Sequence, residues 1–194
     1  MTQKESYDSE IDGVDIVGIE SAVRQILQCI GEDIGREGLK DTPVRVARLY
    51  SEMFSGLNED PADLIDPLIG EDYFDPVLIS DIPFHSVCEH HLLPFTGFVH
   101  VAYRPSGKVI GASKVTRLVD SLSRKPQIQE RLTSQIADVI HQNLDAEATL
   151  VYMSAEHMCM TIRGVEKKGS KIVTLVERGN QNTVTALRDI FTFN

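Results

Sequence analysis

Cys88-Glu89-His90-His91 puts a thiol, a carboxylate and two imidazoles into four consecutive residues, a density of chemistry that packing does not explain. Cys88 and His91 stand three apart, so a tight turn aims both side chains at one cation. Far downstream, His157-Met158-Cys159 again sets an imidazole beside a thiol. Zinc takes thiolate sulfur and imidazole nitrogen in a tetrahedral shell; three protein ligands with one open corner describe a catalytic rather than a structural site. With Cys159 as third ligand, the shell reads Cys-His-Cys. A single C-x-x-H reads equally as a surface loop with a buried free cysteine. The second cysteine and the further histidines favour the metal.

Other residues suited to chemistry gather at helix starts. Ser113-Lys114, with Arg117 one turn on, sets a hydroxyl, backbone amides and two cations at one end of a predicted helix. Helix N-termini attract phosphate through free amides and the dipole, although a capped, solvated helix with surface cations gives the same pattern. Gln129-Glu130 opens the next helix. An amide beside a carboxylate suits the edge of a guanine, whose ring N–H and amino group both donate; a capping acid is the plainer alternative. Arg45 falls in the first turn of an earlier helix, where a cation opposes the dipole. That misfit suggests an anionic partner, and an exposed arginine without a role accounts for it as well.

The whole chain narrows these options. It has 194 residues and a net charge of −10, with 19 Lys and Arg and no long basic tract. Nucleic-acid binding is therefore disfavoured, since phosphate neutralisation needs clustered cations. A small anion held by local basic residues stays open. The three cysteines, Cys29, Cys88 and Cys159, are irregularly spaced and do not suggest a disulfide framework. Neither a signal-peptide pattern nor a membrane-length apolar run is present, so the expected setting is the cytoplasm, where thiols stay reduced.

The elements that must position these residues follow from periodicity. Residues 1–17 read as a polar arm. Ile19 to Ile30 has helical spacing, with Cys29 as filler, and Thr42-Pro43 opens a second helix carrying Val46, Leu49, Tyr50, Met53 and Phe54. An acidic, proline-punctuated linker spans 58–76. Strands are expected at Val77–Ile82 and Phe98–Tyr103, with His100 an ordinary strand residue, and a hairpin turn at Pro105-Ser106-Gly107 leads into Lys108–Ala112. Ser113 is expected to cap the next helix, and a longer helix covers about 127–144. Strands at Thr149–Ser154, Met158–Arg163 and Lys171–Val176 and a helix at Val184–Phe193 complete the chain. This order predicts an α+β fold, an antiparallel sheet with a helical pair on one face. The boundaries are an N-terminal arm, two helices and linker over 1–76 and a catalytic domain over 77–194. An open sheet leaves edges that a self-associating ring would close.

The run CEHHLLPFTGFVHVAYRPSGKVIGASKVTRLVDSLSRKPQIQERLT, followed by AEHMCMTIRGVEKKGS, resembles the GTP cyclohydrolase I family over residues 19–179. That resemblance implies the tunnelling fold, a four-stranded antiparallel sheet with two antiparallel helices on one face. It further implies a homodecamer of two stacked pentamers with active sites at subunit interfaces. Position by position, Cys88, His91 and Cys159 match the zinc ligands, and His90 and His157 the histidines that move protons. Gln129 and Glu130 match the guanine-recognition pair, and Ser113, Lys114, Arg117, Arg163 and Arg45 the residues around ribose and triphosphate. The implied reaction opens the imidazole ring of GTP at carbon 8, releases formate and yields 7,8-dihydroneopterin triphosphate, the first step towards tetrahydrofolate and pterins. His157 protonates the adjacent ring nitrogen, and His90 assists ribose opening before rearrangement and ring closure.

The chain also departs from the family pattern. Thr174-Leu175 replaces the usual Thr-Ser, Glu177-Arg178 precedes Gly179, and the tail after Gly179 differs from the expected final helix. These changes are expected to weaken substrate binding or alter regulation. The main rival is a non-catalytic zinc-binding paralogue that holds a purine or pterin; the retained ligands, both histidines and Glu130 argue against it. Other tunnelling-fold enzymes use a histidine-rich metal shell or a cysteine nucleophile without zinc, neither of which suits C-x-x-H…C.

Overall fold

The structure, a computed structural model, describes residues 10–11, 13–65 and 72–191. Parts of the expected polar arm (1–9 and 12), of the acidic linker (66–71) and of the last predicted helix (192–193) lie outside the described residues. The chain divides into two compact units, Met1–Asn58 and Glu59–Asn194.

In the first unit, β1 (Glu10–Ile11) pairs antiparallel with β2 (Val14–Asp15). Helix α1 (Ile16–Cys29) starts three residues ahead of the apolar spacing, because the Asp15 carboxylate caps it by accepting the Gly18 N–H at 2.8 Å. Ile26 and Ile30 of its apolar stripe remain 59% and 71% exposed, so periodicity found the helix but overstated what it buries. Thr42 and Pro43 do open α2 (Thr42–Met53), yet Asp41 holds the cap position and Thr42 lies inside the first turn. The two helices pack on one another.

The second unit holds β3 (Val77–Cys88), β4 (Pro94–Arg104), α3 (Ala112–Ser123), β5 (Pro126–Gln127), α4 (Gln129–Leu144), β6 (Ala148–His157), α5 (Met158–Thr161), β7 (Lys171–Gly179) and α6 (Gln181–Phe191). Its sheet runs β5-β3-β4-β6-β7. The four long strands are antiparallel, as expected, while the two-residue β5 adds a parallel partner for the end of β3. Alternation sorts the two faces. Val99, Val101 and Tyr103 of β4 and Val151, Met153 and Ala155 of β6 bury against Val115, Leu118 and Leu122 of α3 and Leu132, Ile136 and Ile140 of α4. On the other face, Ala102, Ala148 and Leu150 meet Val184 and Leu187 of α6. The expected helical pair thus covers one face, and α6 covers part of the second.

Two expected strands take other forms. Lys108–Ala112 does not return along β4, because both edges of β4 are already paired with β3 and β6. Instead Ile110 buries and donates its N–H to the Tyr103 hydroxyl at 3.3 Å, while Lys108 pairs with Asp145 at 3.0 Å. Met158–Arg163 begins as the helical turn α5, since the β4 ladder gives out where Phe95 faces His157.

Gly97 fixes the spacing beside that end of the ladder. A Cβ there would stand 1.9 Å from the Ser154 carbonyl oxygen and 2.7 Å from the Ala155 Cα, so β4 and β6 would have to part. Gly97→Ala is expected to lose about 2–3 kcal/mol of stability, at the upper end of overpacking costs. Urea unfolding measures it, and a midpoint matching wild type would show that the strands yield freely.

Candidate metal centre and active site

Strand β3 carries Cys88 to its last position, where β5 joins from the side. A tight turn follows. The Cys88 carbonyl accepts from the N–H groups of both His91 (3.3 Å) and Leu92 (2.9 Å), and the Cys88 N–H returns to the Leu93 carbonyl at 2.9 Å. Leu92 takes the left-handed conformation at φ 52°, uncommon for a leucine. The turn swings His91 back over Cys88. From the next strand pair, α5 brings in Cys159, and the three ligand atoms lie within 4.8 Å of one another. Cys88 is buried, Cys159 half-buried and His91 exposed, a graded cluster open on one side. Burial, and next the neighbouring Cys88, push the Cys159 thiol up from its ordinary range. Two sulfurs and an imidazole so placed form a donor set suited to a soft divalent cation. The Arg163 guanidinium lies against His91 Nε2 at the cluster's rim.

Glu89, at the centre of the motif, is where sequence reading fell short. It forms a bidentate ion pair with Arg131 of α4 at 2.7 and 3.0 Å, and its N–H donates to the Gln127 carbonyl at 3.0 Å. The turn is thereby tied to the start of α4 by side chain and to β5 by backbone. The Arg131 guanidinium holds the Glu89 carboxyl below the usual carboxylate range. The signal was an acid inside a ligand motif and a cation in QER; nothing in their spacing joined them.

His157 ends β6 on the helix-facing side and is 6% exposed. Its ring stacks on Phe95 across the ladder, with centroids 4.5 Å apart and planes 7° from parallel. Burial lowers its pKa, and the Glu130 charge opposes that shift. Its Nε2 lies 2.8 Å from Gln129 Oε1. Gln129, expected at a purine edge, is 1% exposed; its amide nitrogen reaches the carbonyls of Met153 and Ile172 at 3.2 and 3.0 Å and the Thr174 hydroxyl at 3.1 Å. Glu130, next to it, faces solvent.

His90 is exposed, with Nδ1 3.8 Å from Cys88 Sγ and its ring edge-on to His91. Ser113, Lys114 and Arg117 stand at the start of α3, but Gly111 occupies the cap position and the exposed Ser113 hydroxyl makes no capping bond. Arg45 belongs to α2 of the first unit and pairs with Asp41 at 3.4 Å, which offsets its clash with the helix dipole. The departures at the end of β7 also find partners. Glu177 binds Arg188 of α6 through both oxygens, at 2.5 and 2.7 Å, and Arg178 binds Asp138 at 2.6 Å and the Ser134 hydroxyl at 2.7 Å, both on α4. Glu177 and Arg178 therefore fasten β7 to helices on either side.

Residues 19–193 match the family model for GTP cyclohydrolase I. The chain is 55% identical over 176 residues to GTP cyclohydrolase 1 of Carboxydothermus hydrogenoformans, covering 90% of this chain and 92% of that one. It is 57% identical over 162 residues to the Bacillus subtilis enzyme of the same name, covering 83% and 85%. The Bacillus cytotoxicus protein is 52% identical over 182 residues, covering 93% and 96%.

Proposed function

This chain belongs to the GTP cyclohydrolase I family, and on that footing we propose that it hydrolyses the imidazole ring of GTP at carbon 8. The products are formate and 7,8-dihydroneopterin triphosphate. The observation that carries this reading is the meeting of Cys88, His91 and Cys159 with a buried, oriented His157 two residues from the last of them.

Cys88, His91 and Cys159 would hold zinc. When bound, the cation would supply Lewis acidity and lower the pKa of a water molecule to near neutrality. The protein residues do the rest. His157 gives a proton to the purine nitrogen beside carbon 8; an imidazole suits the task because both protonation states are within reach near neutrality. Exposed His90 serves the later opening of the ribose. Glu130, free of a buried partner, accepts the guanine ring N–H and amino group. Lys114, Arg117 and Arg163 clamp the triphosphate, with Ser113 as a further contact, and so furnish local cations in an acidic chain. The outer edge of the nine-residue β7, unpaired among the described residues, with Val173 and Leu175 of that strand exposed, supports assembly into a ring and thence a homodecamer. No described helix is long and apolar enough to cross a membrane. A reducing cytoplasm would keep the thiols available to metal.

Incubating the zinc-loaded protein with GTP should release formate and, after oxidation, a fluorescent neopterin. GTP binding without formate would instead favour the non-catalytic paralogue. The pair that anchors the metal turn gives a further expectation. Glu89→Gln, or Arg131→Met, should weaken metal affinity by about 10- to 100-fold, as loss of a supporting partner does. Chelator competition measures it. Because the pair is exposed, the fold should hold. Unchanged metal affinity in both variants would show that the turn keeps its shape without the pair.

A further inference from the structure

We propose that Gln129 is a positioning residue for His157, holding its ring so that Nδ1 is the atom that exchanges protons, and that Thr174 and Thr133 lock Gln129 in place. The inference deepens the reading above, since it assigns the atom of His157 that serves the reaction.

It follows from which groups can only accept. Gln129 Nε2 faces two carbonyl oxygens, those of Met153 and Ile172 at 3.2 and 3.0 Å, besides the Thr174 hydroxyl at 3.1 Å. Carbonyls cannot donate, so this end of the amide is the NH2. The other end, Oε1, can only accept, and it stands 2.8 Å from His157 Nε2. His157 Nε2 therefore carries a hydrogen. In the neutral ring Nδ1 is then the bare nitrogen, and Nδ1 makes no hydrogen bond among the described residues.

The hydroxyls close the circuit. Thr133 donates to the Gln129 carbonyl at 2.7 Å, one turn back along α4. Its single proton is thus used, so in the 2.6 Å contact between the two threonines Thr174 is the donor. The two Gln129 amide hydrogens are shared among the Met153 and Ile172 carbonyls and the Thr174 oxygen, Thr174 gives to Thr133, and Thr133 to the Gln129 backbone. The loop joins α4 to β7, and the contact with the Met153 carbonyl adds β6. The Gln129 side chain is 1% exposed and every polar atom of its amide is engaged, which leaves none for a purine. Phe95, stacked at 4.5 Å, fixes the plane of the His157 ring, and Gln129 fixes its rotation within that plane.

The direct test is the tautomer in the wild-type, metal-loaded protein. Nitrogen-15 NMR of histidine-labelled protein, with the His157 signal assigned by its loss in His157→Phe, should show hydrogen on Nε2. Hydrogen on Nδ1 in the neutral ring would overturn the proposal. Kinetics give a second test. Gln129→Met should lower kcat by about 10- to 100-fold, the usual cost of misplacing a reacting group. KM for GTP and the preference for GTP over inosine triphosphate, which lacks the 2-amino group, should hardly move. A raised KM with relaxed preference would instead put Gln129 at the purine and sink the proposal.

Should Gln129→Met fail to fold, Thr174→Val and Thr174→Ser carry the question. Valine should lower kcat by about tenfold at constant KM, and serine, which restores the hydroxyl, should recover it. Wild-type kcat in Thr174→Val would count against the lock. If the wild-type protein does not turn over GTP, the proposed reaction fails, while the NMR result still decides the orientation of His157.

Discussion

Cys159→Ala is expected to cut both metal binding and GTP turnover steeply while leaving the fold intact. The alanine removes one of three ligand atoms that lie within 4.8 Å of one another. Two ligands, one of them an exposed imidazole, cannot close a tetrahedral shell, so affinity should fall by more than about 100-fold, beyond what loss of a merely supporting partner costs. Without a cation, burial and the neighbouring Cys88 push the Cys159 thiol up, so Cys159 favours the protonated form. A dication reverses that preference, because it is the largest charge in its site and deprotonates a coordinating thiol. The rate should fall by about a thousandfold, given that Lewis-acid activation contributes several kcal/mol. Metal per subunit by mass spectrometry and formate release measure the two effects. Chelating the wild type should reproduce the loss, and adding zinc should restore it only where Cys159 is present. Turnover at the wild-type rate by metal-free protein would end the metal-centred reading.

His157→Phe should separate proton transfer from metal binding. Phenylalanine can keep the stack on Phe95 but carries no proton, and the ligand cluster is untouched. A general acid contributes about 100- to 10,000-fold, so kcat should fall by that much with metal content unchanged. Some stability should go too: Gln129 Oε1 loses its donor in a buried place, worth about 1–3 kcal/mol. Full activity in this variant would remove His157 from the chemistry. Loss of metal along with activity would assign it to the metal shell instead.

Much of this was legible from local pattern. The alternation of FVHVAY set β4 and its faces, and the apolar spacing after Gln127 set α4, since a strand repeats every two residues and a helix every 3.6. Cys88, His91 and Cys159 stood out because few structural demands call for thiol and imidazole together. What stayed hidden depended on neighbours distant in the chain. Lys108–Ala112 has strand character, but β4 had no free edge to offer it. Met158–Arg163 alternates well enough for a strand, yet its ladder partner had ended. Ser113 looked like a cap, although the backbone entered α3 two residues earlier, at Gly111.

By itself the sequence determined the candidate ligand types, the longer helices and strands, and through its ordered motifs the family, because these rest on residue chemistry and on periodicities that survive in one dimension. Only the tertiary structure decided how those residues are used. Glu89 became an anchor when α4 brought Arg131 within 2.7 Å, and Gln129 turned inward because carbonyls of β6 and β7 were there to take its hydrogens. The orientation of a buried polar group is set by the donors and acceptors that surround it, and those come from segments whose meeting the linear order does not express.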